Sequence, residues 1–182
     1  MKKIFTIILL AAIAGVHAQV IIGNATGTVD PAHKSSVLLE FAVGNKGIIV
    51  PYVRTLPTAA PIKVAGSILL DAVVATKARM KYYNGTDWVD LSGQDGIVSS
   101  AIATQPPTTV SESGAKAIIG ATSSSADGVL VLESNTKAMV LPQVLDVQNI
   151  PSPSPGMMVY INKSGAKRLA VYNGTNWSFW KP

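Results

Sequence analysis

The hexapeptide YNGTDW at 83–88 returns as YNGTNW at 172–177, and the two copies hold two of the three Trp in the chain. Two aromatic residues bracketing Asn-Gly, written twice in the same order, mark a repeated structural unit, so any fold for one copy must also serve the other. The likeness runs well beyond the hexapeptides. Ile21-Ile22-Gly23 answers to Ile118-Ile119-Gly120, and Leu38-Leu39-Glu40 to Val131-Leu132-Glu133. Lys46 through Pro51 answers to Lys137 through Pro142, each with Pro five residues after Lys. A proline-punctuated stretch follows in both copies, and Gly66 and Gly156 then open apolar runs that lead into the aromatic turns. This ordering predicts two tandem modules, 19–91 and 117–182. Residues 92–116, rich in Ser, Thr, Gly and Pro with little periodicity, read as a linker.

Within each unit the local chemistry favours strands. The runs VLLEF, GIIVPYV, SILLDAVV and VLVLE are short, rich in β-branched residues and bounded by Gly, Pro, Asn or Ser, and none sustains a helical period. The expected fold class is all-β or β-rich: two small modules of short strands, each ending in a β-meander. For the second module the expected strands are 157–162, 168–172 and 177–180, with a turn around Ser164-Gly165. Asn84-Gly85 and Asn173-Gly174 are expected to supply the positive φ angles of tight hairpin turns. Tyr83 and Trp88, like Tyr172 and Trp177, should then meet across the turn.

The N-terminus predicts the compartment. Lys2 and Lys3 precede an apolar run from Ile4 to Val16, and Val16-His17-Ala18 places a small residue where a signal peptidase cuts. Residues 1–18 are read as a signal peptide cleaved after Ala18, which gives a secreted or cell-surface protein starting at Gln19. The run is shorter than the roughly 20 apolar residues a transmembrane helix needs, so no membrane span is expected after its removal. The chain contains no Cys, which rules out both lipid attachment through cysteine and disulfide bonds. The 15 basic residues less Lys2 and Lys3, set against 10 acidic ones, leave a formal charge of +3. Those cations are scattered, with short clusters only at 77–81 and 167–168, whereas a nucleic-acid surface would call for a denser stripe; no nucleic-acid partner is expected.

The succession Leu-Leu-Glu, then Lys-Gly with apolar residues and Pro, then a Gly-led strand and Tyr-Asn-Gly-Thr-x-Trp resembles a module of secreted Bacteroidota surface proteins and of phage tail-fibre-like proteins. The resemblance covers most of the chain after residue 18, once per unit. It implies extracellular, fibrous or adhesive proteins that are commonly trimeric, and it implies no enzyme chemistry. One departure is that Tyr52 and Gln143 stand where the family pattern commonly has Arg after the Pro.

Catalytic constellations are missing from the sequence. Beyond residue 18 the only histidine is His33, in a Pro/Lys/Ser context that reads as a surface loop. No thiolate metal site can form, and neither a G-x-S-x-G elbow nor a phosphate-binding glycine loop occurs. Asp87 and Asp90 flank Trp88, but the second unit has Asn176 and Phe179 in their places, so they read as solvated strand-edge charges. Glu40 and Glu133 recur and are expected to mark a strand's end or polar face. Asp95-Gly96 and Asp127-Gly128 read as turns, outside any calcium-loop spacing. No catalytic residue, metal site or cofactor is expected, and the Asn-x-Ser/Thr sequons at Asn24, Asn84, Asn162, Asn173 and Asn176 carry no implication in a bacterial protein.

The candidate ligand-binding residues are therefore aromatic: Tyr83, Trp88, Tyr172, Trp177 and Trp180, whose rings could stack on a sugar. Against this, such rings commonly brace the hairpins they flank. The function expected is that of a secreted, non-enzymatic surface or fibre-like structural or adhesion protein. The alternative is a soluble carbohydrate-binding protein using its aromatic turns, and a hydrolase ranks third. Units of this size bury only about 60% of their unfolded surface, so further area is expected to be buried either by the units packing on each other across residues 92–116 or by association of copies. Self-association is favoured, with the resemblance to fibre-like proteins placing a homotrimer ahead of other states, and a surface glycan or protein is a further partner.

Overall fold

The structure, a computed structural model, describes residues 19–42, 44–105 and 116–180; residues 1–18, which carry the signal-peptide reading, lie outside them. The chain is strand-rich. Its first half contains β1 (Val20–Ile22), β2 (Val37–Phe41), β3 (Ile48–Ile49), β4 (Tyr52–Val53), β5 (Ile68–Asp71), β6 (Arg79–Tyr83) and β7 (Trp88–Asp90). A short helix α1 (Ser99–Ala103) follows, then β8 (Ala117–Ile119), β9 (Leu130–Leu132), β10 (Ala138–Val140), β11 (Gln143–Val144), β12 (Met157–Ile161), β13 (Arg168–Tyr172) and β14 (Trp177–Trp180). No helix among the described residues is long and apolar enough to cross a membrane.

The pairings repeat as the sequence does. Each half opens with a parallel pair, β1 on β2 and β8 on β9. Each then forms a four-strand succession: β4 parallel to β5, followed by antiparallel β6 and β7, and β11 parallel to β12, followed by antiparallel β13 and β14. The meander expected in the second unit is present at β12, β13 and β14. One register differs between the copies. Ile21 lies opposite Glu40, but its counterpart Ile118 lies opposite Val131 rather than Glu133. A slip of two residues keeps every side chain on its own face, whereas a slip of one would have inverted them.

The units also exchange strands. β10 of the second unit adds to β2 of the first in parallel, Met139 beside Leu39 and Val140 beside Glu40. In the other direction β3 pairs antiparallel with the start of β12, Ile49 opposite Met157 and Ile48 opposite Met158. The cores merge accordingly: Val50, Leu70, Met80 and Leu91 of the first unit form one buried cluster with Met158 and Val171 of the second. A second cluster, Val144, Ile150, Met157, Val159, Ile161 and Ala170, belongs to the second unit alone.

The stretch read as a linker carries structure in its first part. Ala78 and Gly96 exchange backbone hydrogen bonds of 2.9 Å in both directions, and Val98 N donates to Ala75 O at 2.8 Å. Val98 is 1% exposed and sits in the merged core, and the hydroxyl of buried Ser92 accepts from Met80 N at 2.8 Å. Gln105 Nε2 donates to Tyr52 O at 2.8 Å, returning the end of α1 to the first unit. Composition concealed this because a few apolar contacts, above all Val98, hold an otherwise polar segment. Residues 106–115, the middle of that stretch, lie outside the described residues.

Candidate interaction site

The two aromatic turns are built alike. Each spans four residues, 84–87 and 173–176, between strands whose last pairs are Tyr83 with Trp88 and Tyr172 with Trp177. The ring centroids lie 5.4 Å apart at 46° in the first pair and 5.2 Å apart at 40° in the second, the tilted approach aromatic pairs prefer. Only the glycines have positive φ, +104° at Gly85 and +102° at Gly174, which corrects the expectation that Asn-Gly would supply two such residues. The asparagines act through their side chains. Asn84 Oδ1 accepts from Thr86 N at 2.8 Å and Asp87 N at 2.7 Å, and Asn173 Oδ1 accepts from Thr175 N at 3.0 Å and Asn176 N at 2.8 Å. Asn thus holds the loop's free N–H groups, Gly permits the left-handed step and the rings clamp the strand ends. That division of labour explains why the motif is written twice.

Their surroundings differ. In the first turn residues 84–87 are exposed. Tyr83, 8% exposed, donates its hydroxyl to Gly85 O at 2.8 Å and lies under Lys63, whose Nζ sits 4.7 Å from the ring centre. Half-buried Trp88 donates Nε1 to Pro57 O at 3.3 Å. The second turn is partly covered, and of residues 173–176 only Thr175 is exposed. Asn173 is 1% exposed and donates Nδ2 to Gln94 O at 2.8 Å, while Ile97 N donates to Thr175 Oγ1 at 2.8 Å. A Cβ on Gly174 would meet Val98 Cγ1 at 2.7 Å and Ile97 O at 2.9 Å; on Gly85 it would meet only Ala65 Cβ, at 3.7 Å. Trp180 donates Nε1 to Leu91 O at 2.7 Å, and the residue remains 45% exposed beside Phe179, which stacks under Arg168. Of the five candidate aromatics, four thus form two ring pairs across the turns, and Trp180 reaches the first unit.

The recurrent glutamates prove to be organising groups. Glu40 is fully buried within β2, which corrects its reading as a strand end or polar face. Its carboxylate accepts from Thr28 N, from Thr28 Oγ1 at 3.0 Å, from Val29 N at 3.0 Å and from Gln19 Nε2 at 3.2 Å, and so holds the β1–β2 connection. Burial pushes this carboxyl upward, but the bonds from Thr28 and Val29, with the charge of Lys34, outweigh it and leave the group below its ordinary range. Glu133 repeats the device more simply, accepting from Ser124 Oγ in the β8–β9 connection. The recurrence of Glu after an apolar pair was the available signal; what it missed was that a second strand, β10, would close over β2.

Of the acidic residues that flank Trp88, Asp90 is engaged in the fold. Asp90 pairs with Arg79 at 2.5 Å and accepts from Ser92 N at 2.7 Å, and Arg79 also reaches Asp95 at 2.8 Å. Asp87 is exposed in the turn, and His33 is exposed on a 3-10 helix, Pro31–Ser36. Among the described residues no group of three or more His, Asp or Glu is placed to hold a metal ion.

Residues 118–181 match the family described as the phage tail like trimerisation region. The match spans the second unit, from β8 to just past β14, and agrees with the resemblance to phage tail-fibre-like proteins. No curated protein and no solved structure among those compared matches the chain.

Proposed function

We propose that this chain is a secreted, non-enzymatic, fibre-like structural or adhesion protein that works as a self-associated assembly, with the homotrimer as its state. The observation that carries this reading is the similarity of residues 118–181 to a trimerisation region. The strand exchange between units supports it, because it shows that the surfaces of one unit are complementary to those of another. Export rests on Lys2, Lys3 and the apolar run that ends at Ala18. Light scattering on purified residues 19–182 tests the assembly: three times the chain mass is expected, and a single-chain mass at all concentrations contradicts it. Mass spectrometry of the exported protein should find Gln19 at its start, and an intact Met1 would contradict export.

Carbohydrate binding is the second reading, favoured by one observation: Phe179 and Trp180 remain 44% and 45% exposed at the end of β14. A glycan array on the same material decides it, since binding that Trp180→Ala abolishes without loss of stability would establish a sugar site.

A further inference from the structure

Inside one chain the contact between units has two halves. β10 lies on β2, and β3 lies on the start of β12, where Val50 N donates to Gly156 O at 3.0 Å and Tyr52 Oη donates to Pro155 O at 2.8 Å. The internal repeat gives every partner a counterpart in the other unit. Leu39 and Glu40 correspond to Leu132 and Glu133, Met139 and Val140 to Ile48 and Ile49, and Pro155–Met158 to residues 65–68.

Among the described residues the counterpart surfaces are open. Among the described residues β8 is the only strand partner of β9. Glu133 N donates to Ile119 O at 2.9 Å, so strand alternation turns the N–H of Leu132 the other way, to the free edge. Leu130 is 45% exposed there, while its counterpart Val37, beneath β10, is 4% exposed. Beside β10 runs a groove of about 280 Å³ lined by Met139, Val140, Leu141, Gln143 and Tyr160. This is the place on the second unit that corresponds to the seat of Pro155–Met158 on the first. The segment that would fill it is equally free: a Cβ on Gly156 meets Tyr52 Cε1 at 3.1 Å, whereas one on Gly66 meets nothing within 4 Å. β3 itself has β12 as its one strand partner among the described residues, and Ile49 is 50% exposed.

We propose that the second unit of one chain receives the first unit of a second copy through a repetition of this internal contact. The incoming Ile48–Ile49 strand adds in parallel to the free edge of β9, Ile48 beside Leu132 and Ile49 beside Glu133. Residues 65–68 of the same incoming copy enter the groove beside β10, where Leu141 N donates to the carbonyl of Gly66. The occupant is a second copy because the matching edge on β2 is filled by the matching strand. Strand addition of this kind satisfies an edge that would otherwise stay unpaired. The contact is heterologous: each chain offers one donor face and one acceptor face, so copies close into a ring when the rotation between them permits and extend otherwise. This inference rests on the self-association proposed above and adds the faces that meet.

The absence of native cysteine makes the test direct. Two variants, Ile48→Cys and Leu132→Cys, are prepared as separate full chains, mixed and oxidised. A disulfide-linked dimer that forms only in the mixture is expected, since neighbouring strands bring paired residues within disulfide reach. A further variant, Leu130→Lys, places a charge on the exposed edge and should weaken self-association about tenfold or more while leaving the chain folded by circular dichroism. An assembly by light scattering that gives no mixed disulfide and is indifferent to Leu130→Lys would overturn the proposed faces and leave self-association standing. A chain that stays monomeric would overturn both.

Discussion

β2 and β9 are the same strand written twice, and the fold treats them differently. In β2, Val37, Leu38, Leu39 and Glu40 are 4%, 3%, 0% and 0% exposed. In β9 Leu130 is 45% exposed, with Val131 and Leu132 half-buried. Residue type does not account for the gap, because both segments are apolar runs ending in Glu with a parallel strand on one side. The second neighbour does: β10 closes over β2, and among the described residues nothing takes its place on β9. The aromatic turns show the reciprocal inequality, the second partly covered by residues 94–98 of the stretch that follows the first unit and the first left in solvent. The second unit thus protects β2 of the first, the stretch after the first unit protects the turn of the second, and among the described residues the matching elements stay open.

The largest test of this comparison is Leu39→Ala against Leu132→Ala. Removing a fully buried Leu costs about 2–5 kcal/mol, and removing a half-buried one a fraction of that. Urea denaturation at low protein concentration should show that gap, and it should narrow at high concentration if self-association buries Leu132. Equal losses at low concentration would break the comparison. Next in size are Trp88→Ala and Trp177→Ala. The ring pairs are alike in separation and tilt, so both should lower stability, by about 2–4 kcal/mol given their partial burial, and by amounts within about 1 kcal/mol of each other. Unchanged thermal stability with lost glycan binding would instead make the rings a ligand surface.

Glycine substitutions sharpen the contrast between the turns. Gly85→Ala and Gly174→Ala share the penalty of a side chain at positive φ, but only the second drives a Cβ into Val98 and Ile97. Gly174→Ala should therefore cost about 1–3 kcal/mol more, the usual range for overpacking. The smallest effect is that of acid on Glu40. Its carboxyl is depressed in the folded chain relative to an ordinary value of 4.5, so its contribution is fully present above that value and is lost as pH falls through the lower folded one. Acid titrations of stability should flatten in Glu40→Gln across that window, while an unchanged profile would remove Glu40 from the account.

Much of the fold was legible because it is local. The meander at β12, β13 and β14 follows from apolar runs broken by Ser164-Gly165 and Asn173-Gly174, and the ring pairs follow from residues that face each other across a turn. The candidate site was legible only as a list of aromatics. That Trp180 would anchor on Leu91, that Val98 would enter the core from a polar stretch, and that β10 would lie on β2 all depend on contacts between distant residues that no local pattern encodes. Glu40 is the clearest case. The same apolar-Leu-Glu ending gives a half-buried carboxylate at Glu133 and a fully buried one at Glu40, according to what covers the strand.

Amide hydrogen exchange followed residue by residue, at protein concentrations where light scattering gives a single chain, tests the unequal cover of equivalent strands most directly. Amides of residues 37–41 should exchange only with global unfolding, and the outward amides of β9, Leu132 among them, should exchange many times faster. Equal protection of β2 and β9 in the single chain would contradict the account.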